Sequence, residues 1–197
     1  MNATEFWDEL HERRAIGTPK VNARLAEIAG PLAPGTALDL GCGGGGDALW
    51  LAARGWRVTA VDISGAAVRS LQARGAPITA LRVDLADDFP DGAFDLVSAQ
   101  YFHTPFELDR ARVLRTAAGS VNPGGRLVVV DHGSAAPWSW DQDAGYPTPG
   151  EVAAGLELDP MDWSIDRAEA AERLATGPAG RTATVIDHVL VLRRAGR

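Results

Sequence analysis

The stretch ALDLGCGGGGDALWLAARGWRVTAVDIS, residues 37–64, decides the fold that this sequence predicts. Its first four residues form a short apolar run that fits a buried strand of a parallel sheet. The loop 41–46 follows, and five of its six residues are glycine. Because glycine has no side chain, a ligand can approach the backbone of such a loop closely.

The second half of the stretch completes a recognisable unit. A helix-compatible run over 47–54 ends at Gly55, the residue type expected just past a helix end. A second strand, 56–61, then leads into Asp62. This order of strand, glycine turn, helix, strand and acid is typical of a nucleotide-binding βαβ element.

The unit is then used again, because Ser64 can cap a helix over 65–74 and a strand over 78–83 leads into Asp84. Thr18 and Pro19 suit the start of an earlier helix. The other predicted elements are helices over 4–14, 19–29, 105–118 and 149–155, and strands over 93–99, 126–131, 157–167 and 182–193. The pattern predicts an α/β fold with a single Rossmann-like, doubly wound sheet that is mostly parallel and ends in an antiparallel C-terminal strand pair.

Length, charge and composition limit the function classes. The chain has 197 residues and a formal net charge of −7, which argues against a nucleic-acid partner because such binding depends on cationic contacts to phosphates. No apolar run is long enough for a membrane span, and residues 1–10 lack the regions of a signal peptide. The single cysteine, Cys42, excludes an internal disulfide, so we expect a cytoplasmic protein; no metal site is predicted, and the oligomeric state stays open.

Polar residues follow four of the predicted strands. Asp39 lies beside the glycine loop, Asp62 and Asp84 end the next two strands, and the segment 100–103 follows the fourth. The carboxyl ends of parallel strands meet at one edge of a sheet, where open α/β sheets bind their ligands. We therefore expect these residues to share one cleft.

The run Asp39-Leu40-Gly41-Cys42-Gly43-Gly44-Gly45, with Asp62 and Asp84-Leu85, resembles the class I S-adenosylmethionine-dependent methyltransferases. The sequence DALWLAARGWRV, residues 47–58, is further similar to the small-molecule branch near the tellurite-resistance and thiopurine methyltransferases. The resemblance implies a single methyltransferase domain over 1–197, with a helical cap at 1–34, a cofactor-binding core at 35–132, and a substrate-side loop with closing strands at 133–197.

The resemblance also implies the cofactor, S-adenosylmethionine, and its contacts. The loop glycines would hold the methionine part, Asp62 would accept both ribose hydroxyls, Asp84 would accept the adenine amino group, and Ile63 and Leu85 would sandwich the adenine. The ionised carboxylate suits a vicinal diol because it offers two acceptor oxygens. The cofactor residues expected are Asp39, Gly41, Cys42, Gly43, Gly45, Asp62, Ile63, Asp84, Leu85 and Gln100.

A dinucleotide-dependent oxidoreductase is the competing hypothesis, since Gly41, Gly43 and Gly46 also satisfy G-x-G-x-x-G. Charge favours the methyltransferase, because Asp39 and Asp47 would repel a pyrophosphate but attract an ammonium and a sulfonium. A module that binds S-adenosylmethionine without turning it over is the third hypothesis.

The resemblance further implies transfer of a methyl group to a heteroatom, sulfur, oxygen or nitrogen, of a small molecule by in-line displacement. Residues 98–103 lack the Asn/Asp-Pro-Pro-Tyr signature of enzymes that methylate base amino groups. His103 is a candidate general base or orienting group, and Tyr101 is the second catalytic candidate. The substrate-binding residues expected are Trp7, Tyr101, His103, Trp138 and Trp140, the last two in an irregular segment that suits a lid.

Overall fold

The computed structural model describes residues 1–14, 18–139, 142 and 145–196, in which seven strands form one sheet. The strands follow the order β3-β2-β1-β4-β5-β7-β6, the first five are parallel, and β7 is antiparallel to both β5 and β6. Their bounds are β1 Thr36–Leu40, β2 Arg57–Asp62, β3 Ile78–Arg82, β4 Phe94–Gln100, β5 Val121–His132, β6 Trp163–Thr176 and β7 Thr182–Arg194. The predicted fold class is therefore confirmed.

Within the described residues, six α-helices flank the sheet: α1 Ala3–Arg14, α2 Ala23–Ala29, α3 Gly46–Ala53, α4 Gly65–Gln72, α5 Arg110–Gly119 and α6 Pro149–Leu156. The helices α2, α3 and α4 contribute to one hydrophobic cluster, whereas α5 and α6 contribute to the other. Adjacent strand residues divide between the two clusters; Ala37 belongs to the first and Leu38 to the second. The sheet is thus buried on both faces, which explains its continuous apolar strands.

Local sequence explains where several helices begin. Ser64 caps α4, since its side chain accepts from the backbone N–H of Ala67. Thr148 and Glu151 form a reciprocal capping box at the start of α6. Both interactions satisfy backbone donors that have no partner inside the helix.

Two predicted helix starts are wrong. The helix predicted from residue 19 begins at Ala23, because Asn22 instead turns its backbone N–H and side-chain amide toward Asp47. The helix predicted over 105–118 begins only at Arg110, where the Asp109 side chain accepts from the N–H of Arg112. In both places the residues that were expected to be helical lie beside the glycine loop or line a cavity at the sheet edge.

The strand predicted over 157–167 is also wrong in its bounds. Glu157 ends α6 in a left-handed conformation, with φ of 52°, and β6 begins at Trp163 and continues to Thr176. The sequence of β6 is rich in Ala, Glu and Arg, which favour helices. Pairing with β7 along nearly its whole length overrides that local preference.

The sheet topology fixes the position of the site. Strand β1 lies between β2 and β4, so the strand order reverses at β1, and the crevice at its carboxyl end lies beside residues 41–46. Among the residues that the structure describes, no helix is both long and apolar enough to cross a membrane.

Candidate active site

The glycine loop needs glycine for two different reasons. Gly41, Gly43 and Gly45 have φ values of +64°, +49° and +79°, a region that residues with side chains rarely adopt. A Cβ atom on Gly41 would also lie 2.8 Å from the Phe102 ring. The loop is closed by backbone hydrogen bonds, from Cys42 N–H to the Val61 carbonyl and from Gly45 N–H to the Cys42 carbonyl.

Asp62, at the end of β2, is buried and oriented by the backbone. One carboxylate oxygen accepts from the N–H of Gly43 and the other from the N–H of Ser64, each at 2.8 Å. A carboxylate has about four lone-pair sites, so both oxygens can accept further hydrogen bonds. Asp62 is therefore held to the glycine loop with acceptor capacity left for a ligand.

Two cavities meet at the loop. The first has a volume of about 210 Å³ and the second about 170 Å³, and Gly41 lines both. The first is lined by Ala3, Trp7, His11, Gly41, Gly43, Asp62, Ile63, Val83, Asp84, Leu85, Ala86, Tyr101, Phe102, His103, Thr104, Phe106, Glu107 and Leu108. The second is lined by Pro19, Lys20, Asn22, Asp39, Gly41, Cys42, Gly44, Gly46, Asp47 and Gln100. Nine of the ten predicted cofactor residues border the first or the second cavity.

 Gly45 is thus the one predicted cofactor residue that borders neither cavity.

Two buried acceptors in the second cavity lack partners. Among the described residues, Asp39 Oδ2 and Gln100 Oε1 find no hydrogen-bond donor, and both side chains are almost fully buried. Burial raises the pKa of Asp39 well above its usual value, and the nearby carboxylates of Asp47 and Asp62 raise it further. A buried acceptor without a donor is costly, so this cavity favours a ligand that brings donors or positive charge.

Helix α1 covers the first cavity. Asp8 accepts from the hydroxyl of Ser64 and from the backbone N–H of Ala66, which fastens the helix to the start of α4. Trp7 and His11, one turn apart on the same helix, both line the cavity. Hydrogen bonds from the backbone N–H of Ala66 and the hydroxyl of Ser64 hold the pKa of Asp8 below its usual value, so the carboxylate is charged at neutral pH.

Tyr101 lines the first cavity, but its hydroxyl is engaged elsewhere. The hydroxyl donates to Asp187 Oδ1 at 2.9 Å, and the guanidinium groups of Arg24 and Arg173 also contact that fully buried carboxylate. Burial, followed by the Asp187 charge, raises the pKa of Tyr101. The prediction that Tyr101 takes part in the chemistry is not supported by this geometry, because its hydroxyl faces Asp187 and stays protonated.

His103 lies on the cavity wall and next to a second buried carboxylate. Its Nε2 is 3.1 Å from Asp131 Oδ1, and the Arg110 guanidinium contacts both oxygens of Asp131 at 2.6 and 2.8 Å. The carboxylate oxygen lies off the direction of the ring N–H, so the His103 contact is an ion-pair distance without hydrogen-bond geometry. The rings of His132 and Tyr146 lie 6.4 and 6.3 Å from that of His103.

Two of the predicted substrate residues are not brought to the described cavities. Trp138 packs against the turn between β6 and β7, where a Cβ atom on Gly177 would lie 2.4 Å from the indole. It is absent from the described linings of both cavities, so the structure does not bring it to the other predicted substrate residues there. Trp140 lies outside the described residues, and nothing further follows for it.

Sequence reasoning missed several residues around the first cavity. His11 and Phe102 line it, and Asp131 and His132 stand behind His103. The last two end β5, the fifth parallel strand. The rule that gathered the ends of the first four strands at one edge also applies to the fifth, so this signal was present in the sequence.

Comparison with known proteins supports the resemblance seen in the sequence. Residues 38–129 match the family model described as a methyltransferase domain. The chain is 34% identical over 142 residues to the ribosomal RNA small subunit methyltransferase C of Chromohalobacter salexigens. This match covers 68% of this chain and 42% of that protein. It is 30% identical over 140 residues to the 27-O-demethylrifamycin SV methyltransferase of Amycolatopsis mediterranei, covering 64% of this chain and 49% of that protein. The chain thus spans about half the length of these curated relatives.

The fold has a counterpart in solved structures. The crystal structure of TehB from Haemophilus influenzae matches with a TM-score of 0.67 and 18% identity, over 96% of this chain and 67% of that one. At this identity the likeness to TehB is one of fold. Together with the seven-stranded sheet, these findings show that residues 38–129 match a methyltransferase domain and that the chain has the Rossmann-like fold of the class I S-adenosylmethionine-dependent methyltransferases, which its sequence resembles.

Proposed function

We propose that this protein transfers a methyl group from S-adenosylmethionine to a sulfur, oxygen or nitrogen atom of a small molecule by in-line displacement. The observation that carries the proposal is the pair of buried acceptors, Asp39 Oδ2 and Gln100 Oε1, that find no donor among the described residues. An α-ammonium group has three N–H donors and a positive charge, which is what these acceptors need. The cofactor of the family therefore fits the second cavity.

The first cavity fits the adenosine part of the same cofactor. Asp62 has acceptor capacity for the ribose hydroxyls, and Asp84 is exposed and lines the same cavity. Ile63 and the buried Leu85 add apolar side chains to the lining. The residues that would hold the cofactor are Asp39, Gly41, Cys42, Gly43, Asp62, Ile63, Asp84, Leu85 and Gln100, with Gly45 shaping the loop.

The protein's contribution to catalysis is alignment and exclusion of water. When bound, S-adenosylmethionine supplies a methyl group on a positively charged sulfur. Trp7 and the rest of α1 cover the cavity, while Tyr101, fixed by Asp187, forms a rigid part of its wall. Good orientation of two reactants is worth roughly 7 to 11 kcal/mol, so no further group has to be invoked for a reactive acceptor.

Charge opposes the dinucleotide alternative. A pyrophosphate would lie at the start of α3, next to the carboxylate of Asp47 in the first turn of that helix. The Asp47 side chain is almost fully buried and accepts two hydrogen bonds from Asn22. A Cβ atom on Gly46 would lie 2.2 Å from the Lys20 carbonyl oxygen, so protein backbone already occupies that approach. The third glycine of the G-x-G-x-x-G match thus serves packing.

A small-molecule acceptor is supported by the shape and charge of the chain. The first cavity is partly closed by aromatic side chains, including Trp7, Phe102 and Phe106, and the net charge of −7 opposes binding to nucleic acid. Of the relatives named above, one is named for an antibiotic precursor and one for ribosomal RNA. We favour a small-molecule acceptor that contacts Trp7 and His103. A cytoplasmic location stays a prediction. The division into a cap at 1–34, a core at 35–132 and a substrate side at 133–197 also stays a prediction.

The proposal is tested by calorimetric titration with S-adenosylhomocysteine, the demethylated product. Asp62→Ala should weaken binding at least 100-fold, about 2.7 kcal/mol, because it removes both acceptor oxygens. Asp91→Ala is the control, since Asp91 is exposed in the turn before β4 at the opposite edge of the sheet.

Turnover separates the three hypotheses. Purified protein should convert S-adenosylmethionine to the demethylated product with at least one acceptor from a panel of thiols, phenols and amines. Absence of binding at millimolar ligand would exclude the proposal, and bound NADH fluorescence would favour an oxidoreductase. Tight binding without turnover of any acceptor would favour a binding module.

A further inference from the structure

A buried carboxylate stands behind the acceptor side of the first cavity and has no part in the cofactor contacts. Asp131, near the end of β5, is 2% exposed. Arg110 Nη2 donates to both of its oxygens, and Arg110 Nε donates to the Phe102 carbonyl at 2.9 Å. One guanidinium therefore pairs with Asp131 and fastens it to the segment that carries His103.

His103 is the group that Asp131 can orient. Its side chain is 32% exposed and lines the first cavity, while Nε2 is buried with no hydrogen-bond partner among the described residues. Asp131 Oδ1, at 3.1 Å from Nε2, is within reach after a small rotation of the ring. A carboxylate at this nitrogen favours the tautomer with hydrogen on Nε2, which leaves the lone pair of Nδ1 available.

The other charged and titratable groups around His103 are consistent with that role. Arg110, from α5, balances the charge of Asp131, and the rings of His132 and Tyr146 are the other titratable neighbours. Burial, followed by repulsion from His103, lowers the pKa of His132, so His132 stays neutral near neutral pH. The remaining charged or titratable side chains in the described lining of the cavity are His11, Asp62, Asp84, Tyr101 and Glu107.

We infer that Asp131 is a positioning residue, which holds His103 as the general base for an acceptor whose nucleophile is a phenolic hydroxyl. The inference rests on the proposed function and specifies a phenol as the acceptor. A thiol, with a pKa of about 8.5, is partly ionised without help, whereas a phenol, at about 10, gains from an imidazole base. The aromatic rings of Trp7, Phe102 and Phe106 on the cavity wall suit a planar aromatic acceptor.

The step balances without any further reactant. The phenolic oxygen passes its proton to Nδ1 of His103 and forms a bond to the methyl carbon. The bond between that carbon and the cofactor sulfur breaks, and its electron pair stays on sulfur. The imidazolium, held beside Asp131, then releases the proton to solvent through the exposed part of its ring.

The test compares acceptors that need a base with one that does not. For Asp131→Asn, kcat with para-cresol should fall about 100-fold, in the range usual for loss of general base catalysis. With para-nitrophenol, which is ionised at the assay pH, kcat should change less than about threefold. The dissociation constant of S-adenosylhomocysteine should stay unchanged, and the low-pH limb of the kcat/KM profile for para-cresol should be lost or displaced.

Asp166→Asn is the matched control, because Asp166 is also paired with arginines, Arg126 and Arg193, but lies at the opposite edge of the sheet. It should leave both rates unchanged. His103→Asn should likewise lower kcat with para-cresol but not with para-nitrophenol. Because His103 is partly exposed, this variant tests the inference even if Asp131→Asn folds poorly.

An equal loss with both phenols in either variant overturns the inference. So does a protein that binds S-adenosylhomocysteine and methylates thiols or amines but no phenol, a result that leaves the proposed function intact. Failure to bind S-adenosylhomocysteine at all overturns the proposed function and the inference together.

Discussion

Asp39 illustrates at the scale of one residue how a binding site costs stability. Its pKa is raised in the folded protein by burial and by its two acidic neighbours, so folding favours the protonated form. The stability that this group contributes is complete below the pKa of the unfolded chain, about 4, and is lost as the pH rises through the folded value. We predict that Asp39→Asn raises the free energy of unfolding at pH 7 by about 1 kcal/mol, or Tm by about 2–4 °C.

The same substitution should weaken the binding of S-adenosylhomocysteine, by about tenfold, because the charge that attracts its ammonium is lost. Urea unfolding of both proteins at pH 7 and below pH 4 measures the first effect, and calorimetry measures the second. The stability gain should disappear at the acidic pH, where Asp39 is neutral in both states of the wild-type protein. An Asn variant that is less stable than wild type at pH 7 would contradict this account.

At the scale of elements, the close packing of the segment 18–22 against the start of α3 requires glycine at position 46. A Cβ atom on Gly46 would lie 2.2 Å from the backbone oxygen of Lys20, whereas one on Gly44 would lie 3.6 Å from the Pro19 side chain. We predict that Gly46→Ala costs about 1–3 kcal/mol by forcing the segment 18–22 away from α3. Gly44→Ala, the control in the same loop, should change stability by less than about 0.5 kcal/mol.

Urea unfolding measures these differences, and hydrogen exchange locates them. Only Gly46→Ala should increase exchange at the backbone N–H of Asn22, which donates to Asp47 at 2.6 Å. Equal effects of the two alanine substitutions would show that the Lys20 contact does not matter.

The elements also show where sequence reasoning succeeds. Ser64 was a correct prediction of a helix cap because its hydroxyl acts on the next turn of chain. The start of α2 was missed because Asn22 is held by Asp47, 25 residues away, and the start of α5 because residues 106–108 border the first cavity. Local chemistry is readable from the sequence, whereas contacts made after the sheet has formed are not.

At the scale of the whole molecule, both cavities are assembled from distant parts of one sheet and the helices around it. Unfolding should therefore destroy the site at the same time as the fold, and a ligand that binds only the folded state should stabilise all of it. S-adenosylhomocysteine at 100 times its dissociation constant is predicted to add about 2.7 kcal/mol. Circular dichroism and tryptophan fluorescence should show one coincident transition, raised by about 5–10 °C.

Adenosine monophosphate at the same concentration is the control for unspecific stabilisation. Two separate transitions, of which the ligand moves only one, would contradict a single cooperative unit.

The fold class and the edge of the sheet that carries the candidate site could be predicted from the sequence, because the position of a strand end fixes what can meet there. Asp39, Asp62 and Asp84 were gathered at one edge by topology alone. The engagement of the Tyr101 hydroxyl by Asp187 was not predictable in this way, since it requires the exact register of β7 against β5. The position of Trp138 likewise depends on the turn between the two antiparallel strands.

Gly41 borders both cavities, so a compound that fills them amounts to two smaller molecules joined at one bend. Each part alone would lose its freedom of movement separately on binding. Joined, the second part binds at a high effective concentration once the first is seated, and the affinity gained in this way needs no new contact. A side chain at position 41 would therefore act chiefly by interrupting the junction, leaving two short sites in place of one long one.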